Sequence, residues 1–240
     1  ILNKTEELQR IIAGRDKLYS VIAHDLRSPM GSIKMVLNML MLNLPVEKIG
    51  GEMYELLTMA NRTTEDVFSL LDNLLKWTKS QIGNLNVVYQ DVDAVEVVDS
   101  VIDVFNMVAG LKKITIREEK PEKLPVCTDI DMLKTIIRNL LSNAIKFSNE
   151  NSEVLVKMEE QGDTVVVSVK DSGCGIDEEG QQKLLHTDTH FSTFGTNNEE
   201  GSGLGLLLCQ DFAVKIGGKL WFTSKEGEGS TFYFSIPLKK

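Results

Sequence analysis

Between residues 52 and 82, Met53, Leu57, Ala60, Thr64, Val67, Leu71, Leu74 and Thr78 recur alternately four and three positions apart, a heptad seam that an α-helix lays along one side. Leu56, Phe68, Leu70 and Leu75 widen that seam beyond what one partner helix can cover. Residues 1–42 read as a second long helix. Its apolar face holds Leu8, Ile11, Ile12, Leu18, Ile22, Leu26, Ile33, Leu37 and Leu40, with Gly14 and Gly31 as tolerated weak points. Asn43-Leu44-Pro45 ends that helix, and Gly50-Gly51 marks the far side of a short turn. The pair therefore forms an antiparallel hairpin that alone would expose a broad apolar strip. Seam width and length favour a homodimer, two hairpins closing a four-helix bundle, over a monomeric bundle packed on the rest of the chain.

At Gly83-Asn84 the pattern breaks into short β-rich runs alternating with helices, which divides the chain into 1–83 and 84–240. Strands are expected at 86–90, 113–117 and 126–128, and hairpins at 153–159 with 164–170 and at 219–223 with 230–236. Helices are expected from a capping box at Asp93 and Glu96 to Gly110, at 131–147 and at 204–216. Residues 172–200 are polar without sustained period, a loop long enough to be functional. The expected fold class is multi-domain: the all-α hairpin followed by an α/β sandwich with helices on one face of a mixed sheet.

Charge and composition exclude several functions. A net charge of -9 would repel a phosphate backbone, so no nucleic-acid partner is expected. No run approaches the roughly 18 apolar residues of a membrane helix, so this stretch is not expected to contact a membrane. Cys127, Cys174 and Cys209 are widely spaced without a CxxC pair, which supports neither a zinc site nor a disulfide framework and suits a reducing compartment. The chain opens at Ile1 without a Met and already in helical periodicity, which suggests an excerpt from a longer protein.

Within the first helix, Ser20-Val21-Ile22-Ala23-His24-Asp25-Leu26-Arg27-Ser28-Pro29 combines a histidine and a carboxylate off the apolar stripe. At about 100° per residue His24 lies opposite Ile22, and Asp25 is placed to accept the proton on one imidazole nitrogen, leaving the other nucleophilic. Pro29 removes a backbone donor one turn above, where a kink would help present the histidine. A bare His-Asp pair is commonly just a solvated surface. The full run, however, resembles the H box of sensor histidine kinases.

Four stretches of the second domain carry ligand chemistry. Asn139, Asn143 and Lys146 share one face of a helix, offering amide oxygens suited to a hard, water-rich cation and an ammonium suited to phosphate. Asp171-Ser172-Gly173-Cys174-Gly175 follows a strand, where a carboxylate can accept from an exocyclic amine and the glycines admit a flat ring. Gly201-Ser202-Gly203-Leu204-Gly205 opens a helix whose free amides favour phosphate, although it lacks the Lys-Ser/Thr of a P-loop and the setting of a dinucleotide-binding fold. Gly227-Glu228-Gly229-Ser230-Thr231-Phe232 reads alone as a hairpin turn. In this order the four resemble the N, G1, G2 and G3 boxes of the Bergerat (GHKL) ATP-binding domain. With the H box they resemble the catalytic core of a two-component sensor histidine kinase over nearly the whole chain.

That resemblance implies ATP and Mg²⁺ as cofactors, with Asn143 on the metal, Asn139 and Lys146 near the phosphates and Phe147 beside the nucleoside. It further implies that Asp171 reads the adenine amine, that Gly173 and Gly175 line its pocket, and that Gly201, Gly203 and Gly205 shape a lid. Phe191 and Phe194 stand where the family has an aromatic F box, with Ser192-Thr193 in place of its acidic-Pro run. His186 and His190 read as solvated loop residues, and Cys174 takes no redox role. The implied function is autophosphorylation of His24, assisted by Asp25, and relay to an aspartate of a response-regulator receiver domain, with Ser28 holding the water of a weak reverse reaction. The alternatives are a Bergerat-fold ATPase, disfavoured because Asn139 stands where such enzymes have a glutamate and cannot take a proton, or a non-catalytic nucleotide-gated dimerisation module.

Overall fold

The computed structural model describes residues 2–43, 50–81, 86–184, 195–196 and 203–238, with the side chains at 2–18, 20, 21, 24, 62 and 81 outside the description. Its contacts form two compact units, Ile1–Asn86 and Val87–Lys240.

In the first unit, α1 (Leu2–Asn43) continues through Pro29, and α2 (Gly51–Gln81) returns antiparallel to it. The register is marked by three contacts: Arg27 pairs with Asp72, a Cβ on Gly31 would lie 3.7 Å from the Phe68 ring, and Lys34 reaches Glu65 at 3.3 Å. Such exposed ion pairs contribute only about 0–1 kcal/mol each, so apolar packing must hold the hairpin.

The face of α1 that packs on α2 lies beside its apolar stripe, which the hairpin alone leaves largely exposed. Ala23 is fully buried with Leu71 and Leu75, and Met30 and Leu74 pack against them. Ile22, Leu26 and Ile33, expected on the core stripe, remain 44%, 47% and 47% exposed. The small residues explain this, because Ala23 and Gly31 let the two backbones approach while the larger side chains, about 100° round the helix, are carried clear. On α2 the seam divides in the same way: Thr64, Leu71 and Thr78 are buried, whereas Met53, Leu56, Val67 and Leu70 stay exposed.

The second unit is a five-stranded mixed sheet with helices on one face. Its strands are β2 (Thr115–Glu119), β4 (Glu153–Gln161), β5 (Thr164–Lys170), β6 (Leu220–Lys225) and β7 (Gly229–Pro237), in the order β2-β4-β5-β7-β6. Only β2 and β4 pair in parallel; the other neighbours are antiparallel. β1 (Gln90–Asp93) and β3 (Pro125–Thr128) make a separate antiparallel ribbon. The register aligns Val156 with Val169, Val169 with Phe232 and Val167 with Phe234, so these buried side chains form one apolar face. Against that face lie α3 (Ala94–Leu111), α4 (Ile130–Phe147) and α6 (Gly205–Lys215), while Trp221 and Tyr233 stack on the other side with ring centroids 5.4 Å apart.

Aspartates set the helix starts. Asp129 Oδ1 accepts from Asp131 N and Met132 N, both at 3.0 Å, and its Oδ2 accepts from Val88 N at 2.8 Å. That last bond accounts for one departure from the sequence pattern: the strand expected at 86–90 begins only at Gln90, opposite Thr128, because Val88 is held by the cap. Asp93 likewise caps α3 through Val95 N, and it spends the same oxygen on Leu124 N rather than building the expected box with Glu96, which is exposed. β2 starts two residues later than expected because Lys113 turns through a left-handed backbone (φ 55) and Ile114 N bonds back to Ala109 O. The expected loop over 172–200 contains a short helix, α5 (Glu178–Lys183), capped by Asp177 and too brief to show a period. Among the described residues no helix is long and apolar enough to cross a membrane.

Candidate functional site

The centre of the site is Asp171, at the end of β5. It is 4% exposed, and its Oδ1 accepts from Gly173 N at 3.0 Å and Ser230 N at 3.1 Å. Burial pushes its carboxyl above the usual carboxylate range, and the two amides only partly oppose that. A further backbone contact fixes the strand end, since Asp171 N donates to Ser230 O at 2.9 Å.

The glycines around it are places where no side chain fits. A Cβ on Gly173 would stand 2.1 Å from Phe147 O, and one on Gly175 would stand 2.0 Å from Lys225 O, at a backbone φ of +65. Gly173 thus lies directly against the end of α4, and a short antiparallel bridge joins it to Ser148 just beyond that end. The turn 226–229 proves to be more than a loop closure. Gly227 N donates to Cys174 O at 2.7 Å, Ile176 N donates to Ser224 Oγ at 2.9 Å, and Ser224 and Ser230 share a hydroxyl contact at 2.8 Å. The β6–β7 hairpin therefore forms the wall that holds the Asp171 loop.

On α4, Asn139, Asn143, Lys146 and Phe147 are half-buried beside a face of Leu140, Leu141, Ala144 and Ile145 that packs into the core. Asn139 Nδ2 donates to Thr135 O at 2.9 Å, which turns its oxygen toward the start of α6. There a Cβ on Gly205 would come 2.7 Å from Asn139 Oδ1. Lys146 Nζ lies 4.7 Å from the Phe147 ring centroid, a cation–π contact that keeps the ammonium over the aromatic face. The α6 N-terminus has no side-chain cap, and Gly203 before it takes a φ of +67. The positive dipole end of α6 stands at the position where an anion would be held.

Of the residues singled out in the sequence, Gly173 touches both Phe147 and Asp171, Asn139 meets Gly205, and Gly175 closes against Lys225, all within one unit. Asn143 and Lys146 share their helix, and Gly203 precedes the contact at Gly205. Gly201, His186, His190, Phe191 and Phe194 lie outside the described residues, as does the His24 side chain. His24 is on α1, where Asp25 and Ser28 are exposed and Ser28 O accepts from Ser32 Oγ at 3.2 Å. Ser224, Ser230, Lys112 and Thr196 support the site without having been anticipated. Ser224 and Lys112 belong to no motif, whereas Ser230 and Thr196 stand inside the G3-box and F-box stretches without having been given a role there; all four act through contacts remote in sequence. Cys209, deep between α6 and α4, has its thiol pushed up by burial.

The donor chemistry suits a nucleotide with a hydrated cation. Among the described residues no three His, Cys, Asp or Glu side chains gather to hold a metal.

Fold and site define an ATP-binding domain of GHKL type, and residues 128–240 match the family described as histidine kinase-, DNA gyrase B-, and HSP90-like ATPase. The chain is 29% identical over 238 residues to the adaptive-response sensory kinase SasA of Crocosphaera subtropica, covering 97% of this chain and 62% of that protein. It also resembles the catalytic domain of histidine kinase ThkA, with 30% identity, a TM-score of 0.55, and coverage of 63% of this chain and 96% of that one. Full-length ShkA in complex with AMPPNP shares the fold with a TM-score of 0.71 at 21% identity, over 93% of this chain and 46% of that one. The chain belongs to the sensor histidine kinases, as a catalytic core. It spans about six-tenths of the length of the SasA relative.

Proposed function

We propose that this chain is an ATP:protein-histidine phosphotransferase that phosphorylates His24 and passes the phosphoryl group to an aspartate of a response-regulator receiver domain. The observation that carries the nucleotide half is Asp171. A buried carboxylate, with one oxygen pinned by two backbone amides, presents its other oxygen as an acceptor for the exocyclic amine of adenine. Phe147 then lies beside the nucleoside, and Gly173 and Gly175 admit the ring. Asn139, Lys146 and the α6 amides after Gly201, Gly203 and Gly205 meet the phosphates. Mg²⁺, held by Asn143, would neutralise charge on the phosphate oxygens.

In the transfer step a ring nitrogen of His24 bonds to the γ-phosphorus as the bond to the ADP oxygen breaks. Asp25 holds the proton on the other ring nitrogen and orients the imidazole. Ser28, one turn on, would hold the attacking water in the reverse, dephosphorylating reaction. The division of labour is 1–83 for dimerisation and phosphotransfer and 84–240 for nucleotide binding.

The exposed stripe of Ile22, Leu26 and Ile33 with Met53, Leu56, Val67 and Leu70 supports a homodimer. A second hairpin laid on that stripe would complete a four-helix bundle. We place the protein in the cytoplasm, with neither nucleic acid nor membrane as a partner of this stretch.

The test is incubation with γ-labelled ATP and Mg²⁺ followed by mapping of acid-labile phosphate. Label on His24 is expected, and label elsewhere, or none, would overturn the reading.

A further inference from the structure

Lys112 closes α3 as its C-cap residue and is only 7% exposed, yet it carries a charged head. Its backbone is fixed on both sides: its N–H bonds to Ala109 O at 3.0 Å, and the next residue turns left-handed into β2. The ammonium reaches three acceptors, Ile145 O at 3.1 Å, Lys146 O at 2.9 Å and Thr196 Oγ1 at 2.7 Å. An ammonium has three donors and no acceptor capacity, so acceptors of this kind are what its burial requires.

Two of the acceptors are carbonyls in the last turn of α4, which no further helical turn can satisfy and where the helix dipole favours a cation. The third acceptor comes from elsewhere. Thr196 belongs to the stretch between the Asp171 loop and the glycines that open α6, 84 residues from Lys112. Thr196 is in turn tied to the same helix end, with its N–H donating to Lys146 O at 3.2 Å and its hydroxyl placed to donate to Ser148 O at 2.8 Å. One buried cation thus joins α3, the end of α4 and the stretch leading to α6.

The turn that it clamps bears Lys146 and Phe147, and Phe147 O is in turn the surface against which Gly173 closes. We propose that Lys112, acting through Thr196, is a positioning residue for nucleotide binding, holding the α4 terminus and the Thr196 segment in the register that the nucleotide needs. Lys112 need not touch the ligand. It acts by holding Lys146 and Phe147 where they meet the phosphates and the nucleoside, and so rests on the nucleotide reading above.

The experiment titrates Mg-ATP into the full chain by calorimetry and measures kcat and KM for autophosphorylation, alongside the melting temperature. Thr196→Val removes the hydroxyl from an exposed residue while keeping its shape, and Thr196→Ser restores it. Lys112→Met and Lys112→Arg remove and retain the charge. Thr196→Val is expected to weaken Mg-ATP binding roughly five- to thirtyfold with little change in melting temperature, and Thr196→Ser to restore it. The loss should fall on KM for ATP rather than on kcat. Lys112→Met should lose affinity to a similar degree, Lys112→Arg should recover part of it, and the double variant should be no worse than the poorer single one. If Lys112→Met fails to fold, the Thr196 pair still decides. A parent chain that binds Mg-ATP while Thr196→Val binds it equally well overturns this inference alone; a parent chain that binds no Mg-ATP overturns the nucleotide reading as well. Additive losses in the double variant would also overturn it, since the two residues would then act separately.

Discussion

Gly205 stands against Asn139 so closely that a Cβ on the glycine would lie 2.7 Å from the amide oxygen, itself anchored by the bond from Asn139 Nδ2 to Thr135 O. The start of α6 and the polar face of α4 are therefore one surface. A methyl at Gly205 would have to swing the Asn139 amide off Thr135. We predict that Gly205→Ala folds but binds Mg-ATP about tenfold more weakly, the equivalent of one displaced hydrogen bond. Gly173→Ala should behave differently, because its Cβ would meet the Phe147 backbone carbonyl at 2.1 Å, which cannot swing away. A loss of about 1–3 kcal/mol or more in urea denaturation is expected there, the range for overpacking. Equal stability of both variants would show that the α4–loop contact is soft.

Asp171 links stability to pH. Because burial raises its pKa in the folded state, its contribution is fully present below the ordinary carboxylate pKa and is lost as pH rises through the raised value. Asp171→Asn removes that dependence. The variant should therefore melt higher than the parent above this window, and no higher below it. The same change should weaken ATP binding by roughly ten- to a hundredfold, the scale of a lost hydrogen bond to a charged group. Thermal melts at two pH values with a nucleotide titration check both, and a variant that melts lower at neutral pH would mean the amides of Gly173 and Ser230 need the charge.

His24→Gln should abolish phosphorylation and leave ATP affinity intact, since histidine and nucleotide site are assigned to different units. Asp25→Asn should retain binding and slow transfer by roughly 10²- to 10⁴-fold, as for a lost general base. Label transfer from γ-labelled ATP reads both, and persistent label on the glutamine form would remove His24 from the mechanism.

Ile22 and Leu26 are about half exposed on a hairpin that packs through Ala23 and Met30 instead. Ile22→Gln with Leu26→Gln should leave the helices folded and shift the chain from dimer to monomer. Light scattering with circular dichroism measures this; a dimer of unchanged affinity would put the contact on another face.

Lys113 adopts a φ of 55 without the freedom of glycine. Relief of the left-handed cost, about 1–2 kcal/mol, outweighs the entropic loss of about 0.5–1 kcal/mol for glycine, so Lys113→Gly should raise stability by up to about 1 kcal/mol. A lower denaturant midpoint would show that the lysine side chain contributes more than its backbone costs.

The amino-acid order alone determined whatever depends on near neighbours along the chain. Residues 2–43 and 51–81 are helical because their apolar spacing suits no other element, β4 and β5 alternate at period two on either side of Gly162, and Asp129 and Asp177 cap their helices through amides two or three residues away. The Asp171 loop and the glycines before α6 were visible as chemistry for the same reason. Only the tertiary structure decided which faces meet and what holds the site. The apolar stripe of α1 did not say which of its residues would meet α2; close approach at Ala23 and Gly31 put that contact beside Ile22, Leu26 and Ile33, a choice set by the partner helix and not by hydrophobicity. Ser230 reaches Asp171 across 59 residues, and Lys112 reaches Thr196 across 84. A hydrogen bond leaves no periodic trace in either of the segments it joins, so these contacts exist only once the sheet has brought the segments together.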